Sequence, residues 1–234
     1  MLTNHRRAFW WSALLLASCL AALFLVGRHH PTAAPGTSWP VVGEVDQAVS
    51  DWVGEIRVAP LTWLFRFLNV LGGGIVTIPL RIVAVALLAH RRRWRAFGAF
   101  TLTWASSEIV LAVLKWWFHR GRPLDGPLVE TVGYSFPSGH AVAAAATAVA
   151  LVFAFLPAGP TRRHWEWIAV GFAFLMAVSR VYLRAHWLSD VVAGVLLGTG
   201  IAIFWAAAVT EYRDRWHARR GTSHPASSTA TPDT

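Results

Sequence analysis

Long apolar runs alternate along the chain with short polar stretches in which arginine, tryptophan, glycine and proline collect. The first run, residues 9–27 (FWWSALLLASCLAALFLVG), follows the basic start His5, Arg6 and Arg7. That order also fits a signal peptide cleaved after the TAA of residues 32–34, but the run is longer than a usual h-region, which favours a retained span. Residues 28–42 form a proline-containing linker. Beyond it, Val45, Ala48, Val49, Trp52, Val53 and Ile56 recur at helical spacing with Asp46, Asp51 and Glu55 between them. The pattern predicts a helix lying on the membrane surface, or one packed on a neighbouring span. Residues 59–90 are apolar over about 48 Å, too far for one perpendicular crossing. Gly72, Gly73 and Gly74 supply the break, giving a short helix before them and a second span near 74–90. Further spans are expected near 96–117, 139–157, 165–182 and 187–209.

The expected fold class is therefore all-α: a polytopic membrane protein with six transmembrane helices in one bundle and an additional surface helix. Residues 1–8 form a short N-terminus, 9–27 the first span, and 28–72 an extracytoplasmic linker with surface helices. Residues 73–210 form a core with spans 2 to 6. Residues 211–234, ending in a stretch rich in Ser, Thr, Pro and Ala, form a disordered tail.

Composition agrees, with 55% hydrophobic and only 14% charged residues. The basic excess, 21 Lys+Arg against 12 Asp+Glu, follows membrane topology, because a nucleic-acid binder carries its charge on a solvated face. Arg6, Arg7, Arg91, Arg92, Arg93, Arg95, Arg162, Arg163, Arg213, Arg215, Arg219 and Arg220 fall at one set of helix ends and outnumber the cations at the other. The positive-inside rule makes the richer side cytoplasmic, with both termini inside a cell membrane. The single cysteine, Cys19, lies in the first apolar run and reports no redox compartment.

Three polar segments then meet at the opposite, extracytoplasmic ends of the spans: KWWFHRGRP (115–123), PSGH (137–140) and SRVYLRAHWLSD (179–190). Ser138 and Gly139 at the mouth of an alanine-rich run fit a helix cap on structural grounds alone, and the same helix start fits an anion site faced by His140. Lys115, the one lysine in a chain that otherwise uses arginine, lies seven residues before Arg122, two helical turns, and shares its face if the helix persists to Pro123. Snorkelling is the plain alternative for both. Arg180 adds a third cation. His186 and Asp190, four apart, share one helix face, so the carboxylate can hold the ring by Nδ1–H with Nε2 presented outward; alone this also fits a structural pair.

Taken together, Lys115, Arg122 and Pro123; Pro137, Ser138, Gly139 and His140; and Ser179, Arg180, His186 and Asp190 resemble the three-part signature of the type-2 phosphatidic acid phosphatase superfamily, in its integral-membrane lipid phosphatase branch. The resemblance covers about residues 72–210. It implies a phosphomonoester or diphosphate hydrolase that uses no metal and no cofactor. His186 would be the nucleophile, Asp190 its partner and His140 the acid and base. Lys115, Arg122, Ser138, Gly139 and Arg180 would bind the phosphoryl oxygens. The implied substrate is a lipid phosphate at the extracytoplasmic face, such as undecaprenyl pyrophosphate, phosphatidylglycerophosphate or phosphatidic acid.

His119, Arg120 and Arg184 lie outside the signature and read as interfacial or headgroup residues. Deeper in the spans, Arg81 and Glu108 are each roughly 10–14 Å below the site, where an unpaired charge is costly, and are expected to pair. Alternatives are a phosphotransferase using the same site, a haloperoxidase, which six spans disfavour, and a non-catalytic lipid-binding or transport protein.

Overall fold

The computed structural model describes Trp10, residues 40–123 and residues 126–221. Apart from Trp10, the expected N-terminus, first span and linker up to residue 39 lie outside the described residues, as does the tail from 222. All regular structure among the described residues is helical. The helices are α1 (Pro40–Glu55), α2 (Ala59–Gly72), α3 (Gly74–His90), α4 (Trp94–Phe118), α5 (Gly139–Phe155), α6 (Pro160–Tyr182) and α7 (Leu188–Gly221).

Two of these, α4 and the Leu188–Thr210 part of α7, are each long and apolar enough to cross a bilayer. Helices α2 and α3 pass the same test as a pair bent by 42°, and α5 is apolar but only 17 residues long. The bend falls where the glycine run was expected to break the helix. Gly73 is extended there, at φ −75° and ψ 163°, and serves as C-cap of α2 and N-cap of α3. Gly72 is closely packed as well: a Cβ at this position would stand 2.6 Å from Met176 Sδ, near the end of a flexible side chain, and 3.3 Å from His140 Cδ2. The break therefore lets α2 lie directly against the start of α5.

Helix α5 is the centre of the bundle, packing most extensively on α7 and then on α6 and α4. Lipid offers helices no hydrophobic drive to associate, so close contact between backbones has to supply the attraction. The alanines of α5 and two glycines of α7 allow it. A Cβ at Gly194 would lie 2.9 Å from the Ser138 carbonyl oxygen, and one at Gly198 only 2.5 Å from that of Val142. Because the obstacle at Gly198 is backbone, no rotamer change relieves it. Gly198→Leu is expected to destabilise the protein by about 3 kcal/mol or more, read as a lowered unfolding temperature in detergent; an unchanged value would contradict this packing.

The Arg81–Glu108 pair forms as expected, with Arg81 Nη1 2.6 Å from Glu108 Oε1. Arg81 also donates to Thr147 Oγ1 at 2.8 Å and faces the Trp104 ring at 5.6 Å. This one buried guanidinium thus ties α3, α4 and α5 together beneath the site.

Three sequence expectations change. The apolar stripe of α1 is not its buried face: Asp46, Ser50 and Val53 are buried, whereas Val45 and Trp52 are more than half exposed. The helix packs on α6 and α7, and buried partners for Asp46 have rotated it. Helix α6 starts at Pro160, earlier than the expected 165, because proline in the first turn has its φ already set for a helix and lacks an N–H that would go unbonded there. Helix α7 continues to Gly221, so residues 211–221 extend the helix rather than begin a disordered tail; no proline interrupts them.

Candidate active site

The C-terminal ends of α4 and α6 and the N-terminal ends of α5 and α7 lie at one end of the bundle, where the connecting loops bind one another. The Ser138 amide donates to the Asp190 carbonyl at 3.0 Å, and the Leu128 amide donates to Leu183 at 2.9 Å. The Ser135 amide donates to the Arg120 carbonyl at 2.8 Å. These backbone bonds bring the three polar segments of the sequence to one place.

Asp190 is fully buried in the first turn of α7 and is saturated with donors. Its Oδ1 accepts from Arg120 Nη1 at 2.6 Å. Its Oδ2 accepts from the Trp187 amide at 3.0 Å and from the Ser135 hydroxyl, and faces His186 Nδ1 at 3.5 Å. On the other side of the ring, Arg122 Nη1 lies 3.3 Å from His186 Nε2. Since a guanidinium only donates, Nε2 must be the acceptor, which leaves the ring proton on Nδ1, facing Asp190.

Burial is the main influence on this imidazole and pushes its pKa down to about 4, against the opposing pull of Asp190. The ring is therefore neutral at pH 7. Because the folded value lies below the unfolded value of about 6.5, the unfolded chain takes up the proton first. The contribution of His186 to stability is then complete above pH 6.5 and is lost as pH falls towards 4. A histidine-selective NMR titration, assigned with His186→Ala, should show this ring still neutral at pH 5.5; titration near 6.5 would contradict the geometry.

Ser138 sits at the N-cap of α5, but its side chain makes no capping bond, so the simple cap expected from PSGH is not what forms. Its hydroxyl is fully buried and has no hydrogen-bond partner. A side chain at Gly139 would meet only an ordinary contact, with Leu111 at 3.4 Å, so packing does not demand glycine there. His140 follows in the first turn, against Gly72 and Gly73, within the electrostatic reach of Arg180, His186 and Arg122.

The cations are held in different ways. Lys115 donates to the Tyr134 carbonyl, and Arg122 donates to Gly133 at 3.0 Å, Val132 at 2.9 Å and Ala185 at 2.6 Å. Both thus pin the loop before α5. Arg180 is buried and donates through Nη1 to Asn69 Oδ1, while its Nε has no partner.

Sequence reasoning missed four residues here. Arg120, taken as interfacial, is an internal bridge whose Nη2 lies 2.6 Å from Asp46 Oδ2 and whose Nη1 bonds Asp190 and Ser189. Asp46 also accepts from the Ser189 amide at 2.9 Å and hydroxyl at 2.6 Å, so α1 is fastened to the start of α7. Asn69 holds Arg180, and Ser135 holds Asp190. The one available signal was an asparagine inside an apolar run, next to its glycine break. Arg184 is likewise structural, donating to the Ser50 carbonyl at 3.1 Å. His119 is exposed and caps α4 with φ 44°, its ring against Tyr134 at 4.4 Å, which suits an interfacial residue.

A site that presents several cations, the unpartnered buried Ser138 hydroxyl and the unpartnered Arg180 Nε beside His140 and His186 suits an oxyanion. The comparisons point the same way. The PAP2 superfamily model matches residues 96–214. Phosphatidylglycerophosphatase B of Bacillus subtilis is 31% identical over 162 residues, which cover 67% of this chain and 79% of the relative. An undecaprenyl-diphosphatase of Sulfolobus acidocaldarius is 34% identical over 154 residues, covering 62% and 69%. A crystal structure of a transmembrane PAP2-type phosphatidylglycerolphosphate phosphatase from Bacillus subtilis superposes with a TM-score of 0.70 at 25% identity, covering 86% of this chain and 96% of that one. The matched region contains the three polar segments of the sequence that meet at this end of the bundle, and the chain belongs to the PAP2 superfamily, as a membrane protein whose regular structure among the described residues is all helical.

Proposed function

We propose that the protein hydrolyses a lipid phosphate or diphosphate through a phosphohistidine at His186. The observation that carries this reading is the Ser138 hydroxyl and Arg180 Nε, both buried without partners, in the site where His186 Nε2 is held as an acceptor. Nε2 attacks phosphorus in line, and its lone pair becomes the N–P bond as the ester or anhydride oxygen departs. The ring then carries positive charge, and its long 3.5 Å contact with Asp190 is the one expected to tighten. His140 gives its proton to the departing oxygen, then takes one from the water that attacks phosphorus and restores His186. Lys115, Arg122, Arg180, the Ser138 hydroxyl and the Gly139 amide stabilise the oxygens on which charge develops.

In this reading the chain has six spans, with 9–27 the first, residues 73–210 as the catalytic core and both termini cytoplasmic. The site then opens at the extracytoplasmic surface, where a headgroup can enter while its acyl or prenyl tail stays in lipid. The relatives' substrates make phosphatidylglycerophosphate and undecaprenyl pyrophosphate the first to test. Purified protein in detergent should release phosphate from at least one of these two or from phosphatidic acid with no acceptor but water. Release from none, with transfer to an added alcohol, would replace hydrolysis by phosphotransfer; neither reaction would refute the proposal.

A further inference from the structure

At the opposite, arginine-rich end of the bundle lies a cavity of about 580 Å³ between α4, α5 and α7. Its walls are small: Ala96 and Ala99 from α4, Ala150 and Ala154 from α5, and Ala202 and Ala206 from α7. Elsewhere in this bundle small residues bring helices together, as at Gly194 and Gly198, but here they face open space. The alanine stretch of this wall offers no group to hold water, so its small side chains lack contacts unless an apolar group lies along them. A much smaller cavity, about 10 Å³, shares Phe100, Thr103 and Ala150 with it and ends at Arg81, which closes the slot on its inner side.

The rim has the opposite character, with Arg92, Arg93, Arg95 and Arg162 around the mouth. Arg162 is paired with Glu166 at 2.9 Å and lies over the Phe153 ring, and Arg93 reaches the Phe155 carbonyl at 3.5 Å. The guanidinium groups of Arg92 and Arg95 have no hydrogen bond or ion pair among the described residues, and both are exposed. Arg92 is held at φ 52° in the α3–α4 turn, which fixes where its side chain starts. Along α4, Arg95 and Lys115 are about 30 Å apart at about 1.5 Å per residue, so this cavity is no part of the phosphoryl site.

We propose that this cavity binds one anionic diacyl phospholipid, with its net-negative headgroup on Arg92 and Arg95 and an acyl chain along the alanine walls. The complementarity has two parts: basic pockets between membrane helices attract anionic headgroups, and the small side chains leave a slot for a chain. A zwitterionic lipid, whose headgroup cation offsets its phosphodiester, satisfies the first only weakly, and a soluble headgroup lacks the second.

Native mass spectrometry of the full-length protein, exchanged into lipid-free detergent and given dioleoyl phosphatidylserine, dioleoyl phosphatidylcholine or glycerophosphoserine, separates these. One phosphatidylserine per chain is expected, with phosphatidylcholine held about tenfold more weakly and glycerophosphoserine not retained. Arg92→Gln with Arg95→Gln, both exposed, should weaken phosphatidylserine about tenfold, and Ala206→Phe should block the slot. Equal retention of the two lipids, retention of glycerophosphoserine, or unchanged binding in the double arginine variant would overturn the proposal. Retention of no lipid would overturn it too, and would make the apolar segment 9–27 the next occupant to test. The readout requires no turnover, so it stands or falls apart from the phosphatase reading.

Discussion

His186→Ala is expected to lower turnover on the order of 10⁴-fold or more, leaving the remaining cations to bind lipid phosphate without converting it. Removing a nucleophile eliminates the covalent route, and what survives is the stabilisation that the anion-binding groups offer to direct attack by water. The variant should keep its affinity for substrate, since Lys115, Arg122, Arg180 and Ser138 are untouched. The ring is buried in the loop between α6 and α7 and makes few polar contacts, so the fold should tolerate its loss at the cost of a small cavity. Phosphate release measured beside binding of a non-hydrolysable lipid phosphonate separates the two effects. Near wild-type release would remove His186 from the nucleophile's role.

The second large effect is expected at Asp190. An asparagine there presents an amide N–H to a position that now accepts from Arg120, Ser135 and the Trp187 amide and faces His186 Nδ1 at 3.5 Å. The His186 tautomer is no longer fixed, and Arg120 loses one of its carboxylate partners while its bond to Asp46 remains. A loss in kcat of about 10³–10⁴-fold is expected, by the logic that governs a buried carboxylate behind a catalytic imidazole. A drop in stability of about 3–5 kcal/mol should accompany it, because one partner of a buried ion pair is gone. Asp46→Asn makes the contrast useful. It acts on His186 only through Arg120 and Ser189, so it should cost about 10–100-fold, the usual range for an outer-shell partner, mainly in kcat. Equal losses in kcat at the two positions would mean that folding, rather than orientation of the ring, explains both.

Much of the arrangement was legible in the sequence because the signals were local. PSGH opens an alanine-rich run, His186 and Asp190 are close in sequence although His186 stands in the turn before α7 rather than on its face, and the Gly72–Gly74 break interrupts a run too long to be straight. The Arg81–Glu108 pair was legible for a different reason: apolar surroundings leave a charge few choices of partner. What remained hidden was long-range. Asp46 reads as the polar face of an amphipathic helix, and nothing near it reveals that Arg120, 74 residues away, draws that face inward. Asn69 and Arg180 are 111 residues apart. Ser138 was legible as a cap, but its hydroxyl caps nothing and stays without a partner, while its backbone amide is fixed by the Asp190 carbonyl.

The central claim is that His186 Nε2 carries the phosphoryl group during turnover. Rapid alkaline quenching of the protein reacting with ³²P-labelled lipid phosphate, followed by digestion and mass spectrometry, tests it directly. Label on the peptide containing His186, appearing and decaying at rates compatible with turnover and absent from His186→Ala, is the predicted result. Label on another residue, or inversion of configuration at a chiral phosphorus, which marks a single displacement by water, would contradict it.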